Sequence, residues 1–491
     1  MKKLDKKKIG LLFTILFLAV VAFIFVFLFS RSTSPLYSTN YGGDSAQFQT
    51  IGHEWLSNGM VPYRDIFDHK GPILFFLNGF GKTWLVIFQT IALTISLLGV
   101  MKIASLASDK KIFQFFCAFA FLLFLSLGYS EGNMSEEYCL PFVLWSTYFQ
   151  VRYLLNLKKP SPHEPKYAFL YGVTIGICLM TQITNCLPVA VGILVIMIYL
   201  IKNKLYKNLR QNILMGLAGI TVICLPFVLY FTINGAFGDL IFGILGYNIS
   251  YALNMPSWIF NASRHDFINF VVWYSPVFCI FAVAIFAIAR KKYQYGTYCI
   301  ATGIIELALY AFGALYPQYG MIVTGQAILF VNELTFIDIK DRGYRFIYTG
   351  AVVIFMLFLY NQTIICTRII SDTYSSVHAI GDHRPYDRLV AQIPEEERNS
   401  FVAYGGNELK DLYLRSGLHP KYKYFVIQEW HAQFNDGVRQ EIKDIFSTGD
   451  AQWIITDGIN NNISDTLDEK YELIDTENNL QLFRRKSAWR F

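Results

Sequence analysis

Between Asn40 and Pro72 the chain reads NYGGDSAQFQTIGHEWLSNGMVPYRDIFDHKGP, and Asp65, Asp68, His69 and Lys70 crowd within six residues of it. A positioned carboxylate such as Asp44 can take a proton from a hydroxyl as that oxygen attacks. A fixed ammonium such as that of Lys70 can stabilise a growing negative charge. A second polar stretch, GYSEGNMSEEYCLP at Gly128–Pro141, holds Glu131, Glu136 and Glu137 with no positive residue nearby. Carboxylates are costly to bury at the mouth of an apolar bundle, so a cluster there is a candidate for function.

These residues need elements to position them. Asp44 and Ser45 precede Phe48, Ile51, Trp55 and Leu56, whose spacing predicts an amphipathic helix ending at Asn58–Gly59 and lying along a membrane surface. The plain alternative for Asp44 is an N-cap, worth about 1 kcal/mol. Pro72 can open the following helix, which sets Lys70 beside a helix N-terminus where backbone N–H groups favour an anion such as phosphate. The plain alternative for Lys70 is an interfacial lysine snorkelling to headgroups. Ser135 can cap a helix carrying Glu136 and Glu137 in its first turn.

The rest of the chain says where this chemistry sits. Over 491 residues, 54% are hydrophobic, 17% aromatic and only 16% charged, more apolar surface than one soluble core needs. A bilayer takes about 20 apolar residues per helix. Eleven stretches qualify: 11–29, 83–107, 112–128, 139–157, 167–181, 186–201, 213–233, 267–289, 297–316, 321–337 and 346–366. Residues 11–29 could also be a secretory signal peptide, but no small-residue cleavage site follows, so the stretch is kept as the first span. Positive residues gather at Met1–Lys8, near Lys110, at Lys158–Lys166, Lys202–Arg210, Arg290–Lys292 and Lys340–Arg345, one face of the membrane if the N-terminus is cytoplasmic. On the opposite face the positive residues before the tail are Arg31, Arg64, Lys70 and Arg264. This sidedness accounts for the net charge of +6 without nucleic acid.

All eight cysteines fall within or at the ends of apolar segments, and no disulfide framework or CxxC metal site is visible. The division expected is a transmembrane body at 1–369, with a first external loop at 31–72, followed by a small extracytoplasmic α/β domain at 370–491. In that tail FVAYGG at Phe401–Gly406 and AQWIITDG at Ala451–Gly458 read as strands, and Tyr471–Arg485 as a hairpin turning near ENN. Helices are expected at Glu408–Ser416 and Gln433–Phe446. YGGN lacks any phosphate-loop signature and reads as a turn. The segment Asn234–Asp266, with Tyr247, Asn248, Tyr251, Trp258, Arg264 and His265, suits stacking and hydrogen bonding to sugars, or an interfacial aromatic belt.

Taken together, the YGGDSAQFQTIG to FDHKGP wording, the acidic motif before the fourth span and the external α/β tail resemble the GT-C superfamily of polyprenyl-phosphate-sugar-dependent glycosyltransferases. The similarity is to the branch of protein O-mannosyltransferases and lipid A aminoarabinose transferases, and in wording to Gram-positive cell-wall polysaccharide members. The resemblance implies a polytopic α-helical, GT-C-like bacterial plasma-membrane enzyme of about eleven transmembrane helices. Its donor would be a polyprenyl (undecaprenyl) phosphate sugar and its acceptor a cell-wall polymer or lipid. It implies Asp44 as catalytic aspartate, Glu136 or Glu137 as the second acid, and Lys70, with Arg64 or Arg264, at the lipid phosphate. Asp68, His69, Tyr247, Gln318 and Tyr319 would face substrate. Gln318–Tyr319 stands where a His-Tyr pair is usual, and Gln182 where an arginine is often found. A divalent metal is used by some relatives, and none is assigned here.

The reading requires Asp44, Glu136, Glu137 and Lys70 to converge on one hollow at the outer leaflet. A flippase or transporter of lipid-linked sugars would share the topology but should place polar residues within spans, where Glu306 and, near a span end, Glu333 are the candidates. A membrane anchor displaying the tail would not need so many spans.

Overall fold

In the computed structural model the described residues are 6–37, 43–129, 131–157, 160–336, 342–379, 384–459 and 461–486. Met1–Asp5, Asn40–Gly42 of the opening motif, Ser130, Lys158–Lys159 and Lys340–Asp341 lie outside them. The chain folds into two compact units, each assembled from separated stretches. Met1–Leu36, Val86–Phe227 and Pro256–Tyr374 form one, and Tyr37–Leu85, Val228–Met255 and Ser375–Phe491 form the other.

The first unit is helical, and every apolar stretch picked out in the sequence carries a helix. Among the described residues six helices are long and apolar enough to cross a membrane: Lys8–Phe29, Lys82–Ala104, Ile183–Lys202, Tyr206–Ile233, Tyr293–Phe312 and Tyr348–Asp372. A seventh span results if Arg264–Trp273 and Ser275–Ala289, bent by 57° at Tyr274, are counted together. Lys111–Leu125 and Pro165–Leu179 are apolar but shorter, and Thr324–Thr335 has only 12 residues. Chains surrounded by lipid gain little from burying apolar surface against each other, so helix contacts rely on close backbone approach. Gly172 shows this: a Cβ there would fall 1.9 Å from the Gly216 carbonyl oxygen of the neighbouring helix.

The second unit holds a four-stranded sheet in the order β1-β2-β4-β3, formed by β1 (Phe401–Tyr404), β2 (Trp453–Thr456), β3 (Tyr471–Glu477) and β4 (Leu480–Arg485). β1 and β2 are parallel, pairing Phe401 with Trp453 through Tyr404 with Thr456. FVAY and WIIT are buried throughout, as parallel strands covered on both faces must be. β4 runs antiparallel to β2 and forms the expected hairpin with β3, turning at Asn478 with φ 53°. The core gathers Val402, Tyr404, Ile454, Phe446, Val438 and Ile442, with Phe67 and Tyr247 from the other two stretches of the same unit.

Two helix expectations in the tail are corrected. Gln433–Phe446 is broken into Gln428–Phe434 and Asp436–Thr448. Asn435 between them is extended, and its side chain accepts the Val438 N–H at 3.0 Å as a new N-cap. Glu408–Ser416 becomes a 3-10 turn, Asn407–Leu409, and a five-residue helix, Leu412–Ser416, ended by Gly417 at φ 68°.

The predicted first-loop helix is present as Gly43–Asn58 and crosses the short helix Pro72–Asn78 at Gly52. A Cβ on Gly52 would stand 2.4 Å from both Gly79 N and the Phe75 carbonyl oxygen, backbone atoms that cannot step aside. Gly52→Ala is therefore expected to destabilise by about 1–3 kcal/mol through overpacking, seen as a lower melting midpoint of the purified protein. Gly238→Ala, on a helix of the same unit with open space around it, should leave the midpoint unchanged.

Candidate active site

Asp44 lies in the first turn of helix Gly43–Asn58 and is not its N-cap, because the helix already begins at Gly43. Its Oδ1 accepts a hydrogen bond from the Lys410 ammonium at 2.5 Å. The Lys410 side chain is only 7% exposed and that of Asp44 40%, so the cation is enclosed while the carboxylate keeps an open side. Burial alone would raise the Asp44 carboxyl, but the charge and hydrogen bond of Lys410, with Lys70 adding to them, hold it below the usual carboxylate range. Asp44 is ionised at neutral pH.

The loop that follows the helix is fixed by its own side chains. Tyr63 has φ 69°, a left-handed conformation uncommon for a bulky residue. Its N–H donates to the Ile66 carbonyl at 2.7 Å and its hydroxyl to the Lys70 carbonyl at 2.6 Å. Its ring lies where a Cβ on Gly243 would be, only 2.2 Å away, so glycine is needed there. Asp68 is buried, its Oδ2 accepting from Gln47 Nε2 at 2.7 Å and its Oδ1 from the Lys70 N–H at 2.8 Å. Burial raises its carboxyl above the usual range. Asp68 thus binds the helix to the lysine loop from within. Lys70 precedes a helix of seven residues, too short for a strong dipole, so any anion there would rest on the ammonium itself.

His69 is packed among rings, 5.6 Å from Tyr247, 5.9 Å from Tyr251 and 5.3 Å from Trp430 between centroids. His431 stands edge-on to it at 6.4 Å. Burial pushes His69 well below its ordinary pKa and His431 down to about 3, leaving both neutral. Tyr247 is wholly buried, donating to the His431 carbonyl at 3.2 Å. The structure places it in the core of the unit.

Arg64 spends its fork on Asp65, with Nε to Oδ1 and Nη2 to Oδ2 each at 2.7 Å, and donates to the Asn234 carbonyl at 2.7 Å. Sequence reasoning missed two cations of this unit. Lys82, read as the edge of a span, donates to the Tyr37 carbonyl at 3.2 Å. Lys410 is the other. It lies in no recognisable motif, and only the buried FVAY strand ahead of it hinted that a functional loop could follow.

The other unit contains the second acidic motif. Helix Ser135–Leu155 has Met134, not Ser135, as its N-cap residue. Glu137 Oε1 accepts the Met134 N–H at 2.9 Å and its Oε2 accepts from Gln89 Nε2 at 2.6 Å. Gln89 Oε1 in turn accepts from Thr33 Oγ1 at 2.5 Å. Glu136, also buried, receives the Ser135 hydroxyl at 3.0 Å, and that hydroxyl lies 2.5 Å from Gln182 Oε1. Gln318 and Tyr319 lie on the 3-10 segment Pro317–Val323, which closes tightly on the acidic loop: a Cβ on Gly128 would be 3.0 Å from the Pro317 carbonyl oxygen and 3.3 Å from Gln318 Cα. Arg264, exposed, opens helix Arg264–Trp273. Among the described residues no group of three or more His, Cys, Asp or Glu side chains could hold a metal ion.

Glu137→Gln sets an amide N–H against either the Met134 N–H or Gln89 Nε2 unless Gln89 turns over, which would reverse its hydrogen bonds with Thr33 and Ser30. We expect a loss of about 1–3 kcal/mol, read as a lower melting midpoint. Glu136→Gln, which faces a hydroxyl able to donate or accept, should lose less.

Residues 5–255 match the family described as "Putative competence-induced protein Ccs4 N-terminal domain". No curated protein sequence matches the chain. Among solved structures, ArnT from Cupriavidus metallidurans bound to undecaprenyl phosphate is similar with a TM-score of 0.55 and 13% identity, covering 98% of this chain and 98% of that one. The apo state of the same ArnT gives 0.53 and 12% identity over 97% and 98%. The likeness is one of fold, the GT-C membrane fold that the motif wording had suggested. Since the family match takes in just over half of the sequence, the chain belongs to the competence-induced protein Ccs4 N-terminal domain family.

Proposed function

We propose that this protein is an integral membrane glycosyltransferase that moves a sugar from a polyprenyl phosphate carrier, undecaprenyl phosphate in bacteria, to a hydroxyl of a cell-wall or surface polymer. The bundle would comprise eleven spans with a cytoplasmic N-terminus, so that the first loop and the tail face outward. The observation that carries the proposal is the Asp44–Lys410 pair, an ionised carboxylate with an open side in a loop that also presents Lys70. The fold likeness to an enzyme crystallised with undecaprenyl phosphate supports the choice of donor.

In this reading the acceptor oxygen attacks the anomeric carbon as Asp44 takes its proton. The bond from that carbon to the phosphate oxygen breaks, and the carrier leaves as a phosphate monoester. One displacement inverts the anomeric centre, because no sugar becomes attached to the enzyme. The growing charge on the phosphate calls for a fixed cation, and Lys70 is preferred over Arg64, whose guanidinium is occupied by Asp65 and Asn234. Glu136 or Glu137, from the second acidic motif, would assist the acceptor. A transporter is disfavoured because the acids within spans have internal partners, Glu306 with Gln326 and Glu333 with Arg290 at 2.8 Å.

Vesicles supplied with labelled polyprenyl-phosphate hexoses test this. Asp44→Asn should reduce transfer by about 10²–10⁴-fold, the usual worth of a general base, with KM for the donor little changed. Lys70→Met should reduce kcat/KM by at least about tenfold. Wild-type rates in the Asp44→Asn vesicles would rule out Asp44 as the base, and vesicles of the wild-type protein that transfer no sugar would rule out the enzyme reading.

A further inference from the structure

Lys410 reaches Asp44 across 366 residues of chain, and the sheet explains how. β1 and β2 are parallel, so their carboxyl ends share one edge, where α/β folds place functional loops. From that edge the YGGN turn leads directly to Lys410. Gly405 N–H donates to Gln428 Oε1 at 3.1 Å and Gly406 N–H to Asp457 Oδ2 at 2.5 Å, while Leu409 is wholly buried. A Cβ on Gly405 would fall 2.7 Å from Asp457 Cγ, so the turn is closed tightly on the residue that follows β2. Beyond Lys410, helix Leu412–Ser416 packs on helix Gly43–Asn58, and His419 Nδ1 meets the buried Glu54 Oε1 at 2.9 Å. Residues 410–419 thus run alongside the first-loop helix, gripping it near its start and near its end.

We propose that Lys410 is a positioning residue for Asp44: the C-terminal α/β segment supplies the counter-ion that keeps the first-loop carboxylate ionised and aimed. The inference rests on the reading of Asp44 as general base. An ammonium this deeply enclosed has given up most of its water and is stable only beside a negative partner, so the pair favours the charged form of Asp44. The charged and titratable groups around Asp44 are Lys410 from the post-β1 loop and Asp68, His69 and Lys70 from the first loop. His431 of helix Gln428–Phe434 stands behind Asp68. With both histidines neutral, the charges of Lys410 and Lys70 favour the ionised form of Asp44, and Lys410 also donates a hydrogen bond to it.

The test is an infrared titration of the purified full-length protein, following the carboxylic acid band that Asp44→Asn removes. In wild type its midpoint should lie below the ordinary carboxylate range. In Lys410→Met it should rise by at least about one pH unit, and in Lys410→Arg, which keeps the charge, it should stay low. Lys410→Gln, shorter and polar, carries the same expectation if Met disturbs the packing. The acid limb of transfer against pH should move up with the midpoint, because the base acts only when deprotonated and its activity is lost as pH falls through its pKa. An unmoved midpoint in the neutral variants overturns the inference. So does a rise in donor KM with kcat and midpoint unchanged, which would make Lys410 a phosphate contact. Full transfer by Asp44→Asn would instead defeat the general-base reading, whatever the titration shows.

Discussion

An ammonium almost stripped of water must be answered by a carboxylate, and in this protein that requirement joins Lys410 to Asp44. The rest of the second unit is arranged so that the two can meet. Helix Gly43–Asn58 must begin at one place, and the Gly52 crossing with the Pro72–Asn78 helix fixes its height. The Glu54–His419 contact holds its far end. The sheet edge sets where Lys410 emerges. If any of these shifted by an ångström, the enclosed cation would be left without its partner, a larger loss than the pair's own attraction.

Charge is distributed around this pair with economy. Asp68, His69 and His431 lie nearby, and ionising all of them in an enclosed space would set like charges against each other. Burial settles the matter by making both imidazoles neutral and by raising Asp68, whose oxygens are already used by Gln47 and the Lys70 N–H. The geometry that achieves this is not relaxed. Tyr63 at φ 69° and Ile427 at φ 48° both adopt left-handed conformations, and the latter is costly for a β-branched side chain. Each is over-determined by neighbours: Tyr63 by Ile66, the Lys70 carbonyl and Gly243, and Ile427 by a 2.6 Å bond from its N–H to the Gly405 carbonyl. Ile427 opens the helix that carries Trp430 and His431, while Gly405 starts the turn to Lys410, so the strain sits at the junction of the two.

What could be read from the sequence was what depends on local pattern. The periodicity of Phe48, Ile51 and Trp55 marked the first-loop helix, and the short FVAY and WIIT stretches marked the two parallel strands, because those signals are written within a single element. The motif GDSAQ to DHKGP singled out the stretch holding Asp44 and Lys70 for the same reason. Three things escaped. Lys410 pairs over a distance that no local pattern encodes, and its own stretch, GNELK, looks like an ordinary solvated turn. Tyr247 is aromatic in a segment rich in aromatics, yet it closes a core built from all three stretches of its unit. Arg64 was a candidate for phosphate because of its charge, but the adjacent Asp65 takes both arms of its fork. In each case the missing information was which partner a side chain would find.

The two glutamates show how far partner geometry can divide residues that composition treats as equals. Glu136 and Glu137 are adjacent, both buried, and both in the first turn of one helix. A carboxylate that accepts two N–H groups along well-directed bonds is worth most where it is and costs most to move. Glu137 is in that position, held by Met134 and by a glutamine that is itself fixed by Thr33. Glu136 meets a hydroxyl, which can turn to donate or accept as the protonation of its partner changes. Two neighbours on one helix turn therefore meet different partners, and those partners, more than the shared residue type, set what replacing each carboxylate costs.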